Sequence, residues 1–268
     1  MFFATAAALL IASVSTGCKK DDKEPDTPKA ENLSPKFDAG FAAALQAEKI
    51  VKDAKYITAD EIASVKLIDV SGSKSVQGEL TSLKGIELFK SLTTLKCSYN
   101  KIQKLDLTSN TDLVEVDCEF NKSLEEIKVS GLTKLESLSF GHCSRLNQID
   151  LSSCVALKTL SFPDSGLDKL DVSMFPNLYY IDAYNNFLEY IDISKNTKVT
   201  TLEVSGNPGT GDHYDRYFTI YVWSGFDANF PPAGFTQERM WSHQTADVQL
   251  QNEGLVGEIH VLDEWGEM

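Results

Sequence analysis

The stretch from Leu92 to Leu113, LTTLKCSYNKIQKLDLTSNTDL, decides the fold because its pattern returns along the chain. Its triplet Leu95-Lys96-Cys97 is echoed by five later triplets. They begin at Val116, Leu138, Leu160, Ile181 and Leu202, at successive spacings of 21, 22, 22, 21 and 21 residues. Self-similarity at a fixed period predicts a stack of equivalent units, each of which buries its apolar side only against its neighbours.

The repeated unit resembles the leucine-rich repeat, whose consensus combines spaced leucines with an Asn or Cys position. Each unit holds two segments of period-two alternation, such as residues 95–97 and 105–107, and this alternation is typical of short strands. The remaining linker is too short for a sizeable helix. We therefore predict a mainly β leucine-rich-repeat solenoid of 21–22-residue coils with short parallel strands on both sides of one core.

Both ends of the repeat region carry sequences suited to closing the stack. Phe37, Phe41, Ala44, Leu45 and Ile50 fit an amphipathic helix, and the phrasing around Leu83 and Gly85 resembles internalin-like repeats. We predict a helical N-terminal cap over residues 36–64, repeats over 65–208, and a β-rich C-terminal cap over 209–268. An uncovered solenoid end would leave apolar side chains in water, which is why caps are expected.

The N-terminal residues have the pattern of an export signal. Residues 2–14 are almost wholly apolar, and small residues then precede Cys18, which resembles a lipobox. We predict a lipoprotein signal peptide over residues 1–17, lipidation of Cys18, and a disordered tether over residues 18–35. A plain cleaved signal or a short buried helix is the alternative interpretation.

The residues after Cys18 extend this resemblance. Lys19, Lys20, Asp21, Asp22, Lys23 and Glu24 are similar to the Lys-plus-acidic tag of Bacteroides-type surface lipoproteins with leucine-rich repeats. The resemblance implies an outer-membrane lipoprotein exposed on the cell surface, which touches the membrane only through the lipid at Cys18.

The charge balance excludes one class of partner. Acidic residues number 39 against 25 basic residues, for a formal net charge of -14. Nucleic-acid binding gains its affinity from neutralised phosphates, so we expect no nucleic-acid partner.

The four remaining cysteines have positions within the repeat. Cys97 and Cys118 are equivalent inward positions, Cys143 lies on the row of Asn100 and Asn121, and Cys154 matches Asn110. Buried free cysteines act as small apolar residues. A disulfide between Cys97 and Cys118 is the alternative, because an exported protein meets oxidants.

Candidate catalytic and metal sites are weak. An Asp row, formed by Asp106, Asp150, Asp171 and Asp192, predicts solvated or turn-capping carboxylates, with calcium as the less favoured alternative because calcium needs six to eight oxygens around one point. The four histidines fit no zinc motif, and no nucleophile, phosphate-loop or dinucleotide motif occurs. We predict a non-enzyme with no metal and no cofactor.

The residues that alternate with the first-strand core positions are the candidate ligand-binding residues. In leucine-rich-repeat geometry they line the concave face, the outward side of the first strand ladder. The candidates are Tyr99, Asp117, Glu119, Phe120, His142, Tyr180, Asp182 and Tyr184. Large rigid aromatic side chains are good anchors, and carboxylates supply hydrogen-bond acceptors. The function predicted is recognition of a host or bacterial surface protein; the alternative is a glycan-binding accessory protein for polysaccharide uptake.

Overall fold

A computed structural model describes residues 30–209, 217–223, 247–252 and 255–259. Two helices, α1 (Ala39–Ala47) and α2 (Ala59–Ile62), precede the strands. The strands in chain order are β1 (Leu67–Asp69), β2 (Thr94–Lys96), β3 (Lys104–Asp106), β4 (Glu115–Asp117), β5 (Glu126–Lys128), β6 (Ser137–Ser139), β7 (Thr159–Ser161), β8 (Tyr180–Asp182), β9 (Tyr190–Asp192), β10 (Thr201–Glu203), β11 (Tyr217–Tyr221), β12 (Asp247–Asn252) and β13 (Leu255–Ile259). Within the described ranges, no helix combines the length and apolarity needed to span a membrane.

The first strand ladder is a seven-stranded parallel sheet in the order β1-β2-β4-β6-β7-β8-β10. Its register follows the sequence repeat, since Leu95 pairs with Val116 and Val116 pairs with Leu138. The middle residue of each of these strands is buried, and its two neighbours face outward. The predicted mainly β solenoid with short parallel strands is therefore confirmed.

Five complete coils make up the regular part of the stack, and we number them from one to five. They begin at Leu92, Leu113, Leu135, Leu157 and Leu178. One turn of the core is filled by the predicted mixed row, all of it buried: Asn110, Leu132, Cys154, Phe175 and Asn196. The repeat period therefore fixes which side chains meet inside the stack, because equivalent positions lie above one another.

The N-terminal cap is held by a small aromatic cluster. Asp38 caps α1, with its side chain accepting a hydrogen bond from the Phe41 backbone N–H at 3.0 Å. The Phe37 ring packs edge-on against Phe89 at 6.0 Å, and Phe41 also contacts Phe89. The helix is shorter than predicted, because Phe37 precedes it and Ile50 follows it.

The cap also begins earlier than predicted. Leu33 is buried and its backbone N–H donates to the Ile57 carbonyl at 2.7 Å, while the Asn32 side chain accepts from the Ile57 N–H at 3.1 Å. Residues 31–35 are thus part of the folded cap, which corrects the predicted end of the tether. The two hydrogen bonds to Ile57 and the burial of Leu33 attach this segment to the rest of the cap.

The second strand ladder forms only at its two ends. One part pairs β3 with β5; the other runs β9-β11-β12-β13, with the β12–β13 pair antiparallel. The equivalent segments of coils three and four, residues 148–150 and 169–171, are not strands. The prediction of strands on both sides of the core therefore needs correction in these two coils.

The C-terminal residues that the structure describes continue the stack. Strand β11 pairs in parallel with β9, and Phe218, Ile220 and Val222 are buried. The predicted strands around residues 219–223 and 248–250 are thus present, displaced by one or two residues. The remainder of the predicted cap, the signal peptide, Cys18 and the tether up to residue 29 lie outside the described residues.

Candidate functional site

Five consecutive coils place a residue with left-handed backbone at the same point, three residues after the end of the first strand. The φ angles are 56° at Tyr99, 56° at Phe120, 58° at His142, 53° at Asp164 and 51° at Asn185. Such a conformation costs a residue with a side chain roughly 1–2 kcal/mol. The next coil has Gly206 there, which adopts φ 76° without that cost. The surrounding structure must therefore enforce this turn.

A row of equivalent buried asparagines, which we call the Asn ladder, holds this turn in place. Its members are Asn100, Asn121, Asn186 and Asn207. Asn121 follows Phe120, and its Nδ2 donates to the carbonyls of Cys118 at 2.9 Å and Cys97 at 3.0 Å. Its Oδ1 accepts from the Ile102 N–H at 3.0 Å. One buried amide thus satisfies three backbone groups from two coils, as the sequence pattern predicts. These bonds hold the turn closed and direct the preceding side chain outward.

Backbone hydrogen bonds between coils keep these turns in register. The Tyr99 N–H donates to the Glu119 carbonyl at 2.9 Å, and the Phe120 N–H donates to the Gly141 carbonyl at 2.8 Å. Equivalent residues therefore lie one strand spacing apart, about 4.8 Å. Flat side chains at such a distance stack on one another.

The stacked side chains form what we call the ring column: Tyr99, Phe120 and His142. The Tyr99 and Phe120 centroids are 4.2 Å apart with an interplanar angle of 8°, and the Phe120 and His142 centroids are 4.1 Å apart at 23°. His142 Nδ1 lies 3.2 Å from Asp164 Oδ2. Asn185 Nδ2 in turn donates to Asp164 Oδ1. The column thus changes from aromatic to polar over five coils.

Three carboxylates accompany the ring column on the concave face. Burial raises the pKa of Glu119, and the nearby carboxylates of Asp117 and Asp182 raise it further. Burial is also the main cause of the raised pKa of Asp182, with Asp164 adding to it; the Tyr184 backbone N–H and His142 act in the opposite direction. These half-buried carboxylates repel one another and lack full solvation.

Asp117 is held more firmly than the other two. Its Oδ1 accepts a hydrogen bond from the Ser98 hydroxyl and another from the Glu119 N–H at 3.3 Å. A carboxylate fixed by two donors from adjacent residues loses little conformational entropy when a ligand binds it. Asp117 is therefore a preorganised acceptor beside the ring column.

The eight predicted residues do not form one contiguous cluster. All are half-buried, but Tyr180 and Tyr184 belong to coil five. Small residues lie between them and the ring column, and no ring contact joins the two sets within the described residues. Electrostatics links them instead, since Asp182 and Glu119 both raise the pKa of Tyr180, after burial. The face thus carries two separate aromatic groups, the ring column in coils one to three and the two tyrosines in coil five.

The sequence pattern places Asp164 and Asn185 on the concave face, but the eight predicted ligand-binding residues do not include them. Their position immediately before the Asn-ladder row would have identified them, because His142 and Phe120 have the same relation to that row. The missing information was that both His142 Nδ1 and Asn185 Nδ2 contact the Asp164 carboxylate, which extends the ring column by two polar residues.

The Asp row on the opposite side caps turns, as predicted. Asp106, Asp150, Asp171 and Asp192 each accept the backbone N–H two residues later, at 2.9–3.1 Å. Side-chain and backbone hydrogen bonds from Ser152 lower the pKa of Asp150, and those from Ser173 lower the pKa of Asp171. Within the described part of the chain, no group of three or more His, Cys, Asp or Glu side chains is arranged to hold a metal ion.

The four cysteines of the repeats are buried free thiols, so the alternative disulfide between Cys97 and Cys118 is not formed. Burial is the main cause of the raised pKa of each, which reaches about 12 for Cys143 and about 11 for Cys154. A thiol in this state is a poor nucleophile.

Comparisons with known proteins agree with this fold. No protein-family model matches the chain. A leucine-rich repeat protein of Acanthamoeba polyphaga mimivirus is 26% identical over 106 residues, which span 40% of this chain and 20% of that relative. The chain therefore aligns with only a fifth of the relative's length.

One of the similar solved structures aligns well enough to support the architecture. Internalin C2 of Listeria monocytogenes aligns with a TM-score of 0.54 at 15% identity, covering 84% of this chain and 98% of that one. The functional domain of InlJ from the same organism, which includes a cysteine ladder, aligns with a TM-score of 0.37 at 22% identity over 72% of this chain and 57% of that one. The fold is that of a leucine-rich-repeat solenoid.

Proposed function

We propose that this leucine-rich-repeat chain is a non-catalytic, cell-surface binding protein that recognises a protein partner through its concave face. The observation that carries the proposal is the ring column, stacked beside the carboxylates of Asp117 and Glu119. Solenoids present extended surfaces suited to binding proteins. Rigid aromatic groups beside acceptors are typical of binding hot spots.

The charges indicate the chemistry of the partner. Burial raises the pKa of both Glu119 and Asp182; repulsion from Asp117 and Asp182 adds to the rise at Glu119, and repulsion from Asp164 adds to the rise at Asp182. A lysine or arginine placed between them would relieve that repulsion and satisfy Asp117 at the same time. We infer that the partner surface presents basic residues around an apolar group that packs against the outward edge of the ring column, since Tyr99 and His142 cover both faces of the Phe120 ring.

The test is a comparison of matched variants. Surface proteins cross-linked to the full chain would be identified, and their binding would be measured against Phe120→Ala and Glu119→Gln. Both variants should bind the partner at least about tenfold more weakly, because an aromatic hot spot contributes roughly 2 kcal/mol. Lys104→Ala, on the opposite ladder, is the control. Unchanged affinity in both concave-face variants would disprove the assignment.

The alternative is glycan recognition by the same face. The half-buried Tyr180 and Tyr184, with Asp182 between them in sequence, resemble an aromatic pair with an acceptor for sugar hydroxyls. A glycan array run with wild-type and Tyr180→Ala proteins separates the two functions. Saturable glycan binding that depends on Tyr180, without protein capture, would favour the alternative.

We also propose that the chain is attached to the outer membrane through lipidated Cys18, with the folded part exposed on the surface. The support is the sequence pattern before Cys18 and the Lys-plus-acidic residues after it. Metabolic labelling with a fatty-acid analogue should label the wild type and not Cys18→Ser. Equal labelling of both proteins would contradict the anchor.

A further inference from the structure

The interruption of the second strand ladder creates a cleft on the side opposite the concave face. In coils one and two, β3 pairs with β5, and the Leu107 N–H continues the ladder by donating to the Lys128 carbonyl at 2.9 Å. The same relation returns where the Ile193 N–H donates to the Tyr221 carbonyl at 2.9 Å. Coils three and four have the same sequence pattern but lack these bonds.

The backbone polar groups at the interruption are therefore unpaired among the described residues. The backbone N–H and C=O groups of residues 148–150 and 169–171 form no hydrogen bond with any other described residue. These two segments occupy the positions that β3 and β5 occupy in coils one and two, and their outward-facing residues are exposed. β5 and β9 likewise each have a strand partner on one edge only. Unpaired strand edges are templates for a strand from another chain.

A cavity of about 450 Å³ lies at this point. Ile149 and Leu170 line it, and both are only partly buried, whereas Leu105 and Ile191 at the equivalent positions are buried. Met174 and Tyr190 also line it and are 52% and 51% exposed. The Tyr190 ring packs edge-on against the Tyr221 ring at 5.7 Å. We call this region the outer cleft.

The core of the same two coils supplies a physical reason for the opening. Phe140 and Phe162 stack with centroids 5.5 Å apart where coils one and two have Cys97 and Cys118. Two phenyl rings need more volume than two thiols, and protein interiors are packed without spare space. The interruption of the second ladder occurs in the same two coils.

The rim of the outer cleft is acidic. Asp150, Asp168, Asp171 and Glu189 line it, against a single cation, Lys169. Among the described residues, none of these four carboxylates forms an ion pair. The cleft thus combines an apolar floor, unpaired backbone groups and an uncompensated negative rim.

We propose that the outer cleft binds an extended peptide segment of a partner protein, in which apolar side chains alternate with lysine or arginine. The segment adds a strand at the interruption and hydrogen-bonds to the backbone of residues 148–150 or 169–171. Its apolar side chains pack on Ile149, Leu170 and Met174, and its cations face Asp150 and Asp171. Backbone pairing supplies affinity in this mode of recognition, and the side-chain pockets supply specificity.

The experiment uses a short synthetic peptide in which lysine alternates with valine and leucine, titrated against the full chain by fluorescence anisotropy. Three further peptides each remove one element: glutamate replaces lysine, serine replaces valine and leucine, or alternate backbone amides are N-methylated. The parent peptide should bind saturably, and all three altered peptides should bind at least about tenfold more weakly.

A matched pair of protein variants locates the site. Asp150→Asn/Asp171→Asn removes two charges at the cleft while an amide oxygen still caps each turn. Asp106→Asn/Asp192→Asn makes the same changes outside the cavity lining. The first should weaken binding about threefold to tenfold, since each exposed ion pair contributes only a little; the second should not.

Three outcomes would overturn the proposal: no saturable binding of the parent peptide, equal binding of the N-methylated peptide, or equal losses in both double variants. A concentration-dependent dimer in sedimentation, lost only in Asp150→Asn/Asp171→Asn, would assign the cleft to a second copy and also overturn it. Phe120→Ala should bind the peptide normally, which keeps this result separate from the proposed function of the concave face.

Discussion

The Phe120 ring lies between two neighbours, parallel to the Tyr99 ring at 4.2 Å and stacked on His142 at 4.1 Å. The residue that presents it has left-handed backbone, held there by the Asn121 amide. A conformation that is unfavourable for any residue but glycine is thus maintained in five successive coils. Its effect is to turn one side chain per coil outward into a continuous column.

Two substitutions separate the cost of the left-handed backbone at Phe120 from the stabilisation that its ring provides. Phe120→Ala should lower the free energy of unfolding by about 1–3 kcal/mol, since it removes two stacking contacts. Phe120→Gly removes the same ring, but glycine adopts a φ of 56° without steric cost. The glycine variant should therefore be about 1 kcal/mol more stable than the alanine variant. Urea denaturation of both proteins measures the difference. A glycine variant less stable than the alanine variant would contradict the proposed strain.

Glu119 should make stability depend on pH in a defined direction. Its pKa is raised above the ordinary 4.5, so its charged form destabilises the fold at neutral pH, and this penalty is relieved as the pH falls through the raised pKa. Glu119→Gln should therefore be more stable than the wild type near pH 7, by less than about 1 kcal/mol because solvent screens the half-exposed group. The gain should vanish below the ordinary pKa of glutamate.

The control for that measurement is Glu115, which lies on β4 just before Glu119. Glu115 forms an ion pair with Lys96 at 3.3 Å, so Glu115→Gln loses an attraction and should give no gain at pH 7. Thermal melts of both variants across the acidic range test the pair. Equal gains would mean that overall acidity, rather than the Glu119 site, is responsible.

The Asn ladder should dominate local stability. Asn121→Ala leaves the Ile102 N–H unpaired in the core, and it leaves the Cys97 carbonyl with only Asn100 Nδ2 at 3.2 Å and the Cys118 carbonyl with only the Cys143 thiol at 3.5 Å. The cost should be about 2–3 kcal/mol. Asn121→Ser should cost about half as much, since Ser165 at the equivalent position donates from its hydroxyl to the Phe140 carbonyl at 2.9 Å. Urea denaturation compares the two. Equal losses would show that the serine cannot replace the amide.

The buried thiols should be inert in the native protein. In a Cys18→Ser background, a thiol reagent such as DTNB should label no cysteine before unfolding and all four afterwards, because the thiols are buried and burial raises the pKa of each. The absorbance of the released thiolate counts them. Rapid labelling of the native protein would show that the stack opens locally.

Most of the fold follows from the sequence because, in a repeat, the position of each residue in one unit fixes its neighbours in the next. Leu95 and Val116 were recognisable as equivalent positions from their 21-residue spacing, and equivalence in a stack means contact. The buried Asn121 and the turn-capping Asp106 could be anticipated for the same reason. The cap was less predictable: Leu33 looks like part of a polar linker until Ile57 is placed beside it.

The sequence by itself determined the period, the core positions and the row of side chains that faces outward on the concave side. Only the tertiary structure decided that Asp164 and Asn185 complete the ring column, and that the second ladder opens at Ile149 and Leu170. Local pattern could not reveal the opening, because Ile149 and Leu170 occupy the same alternating pattern as Leu105. The opening coincides with the stacked Phe140 and Phe162, so it depends on volume contributed by different coils and is a property of the assembled core.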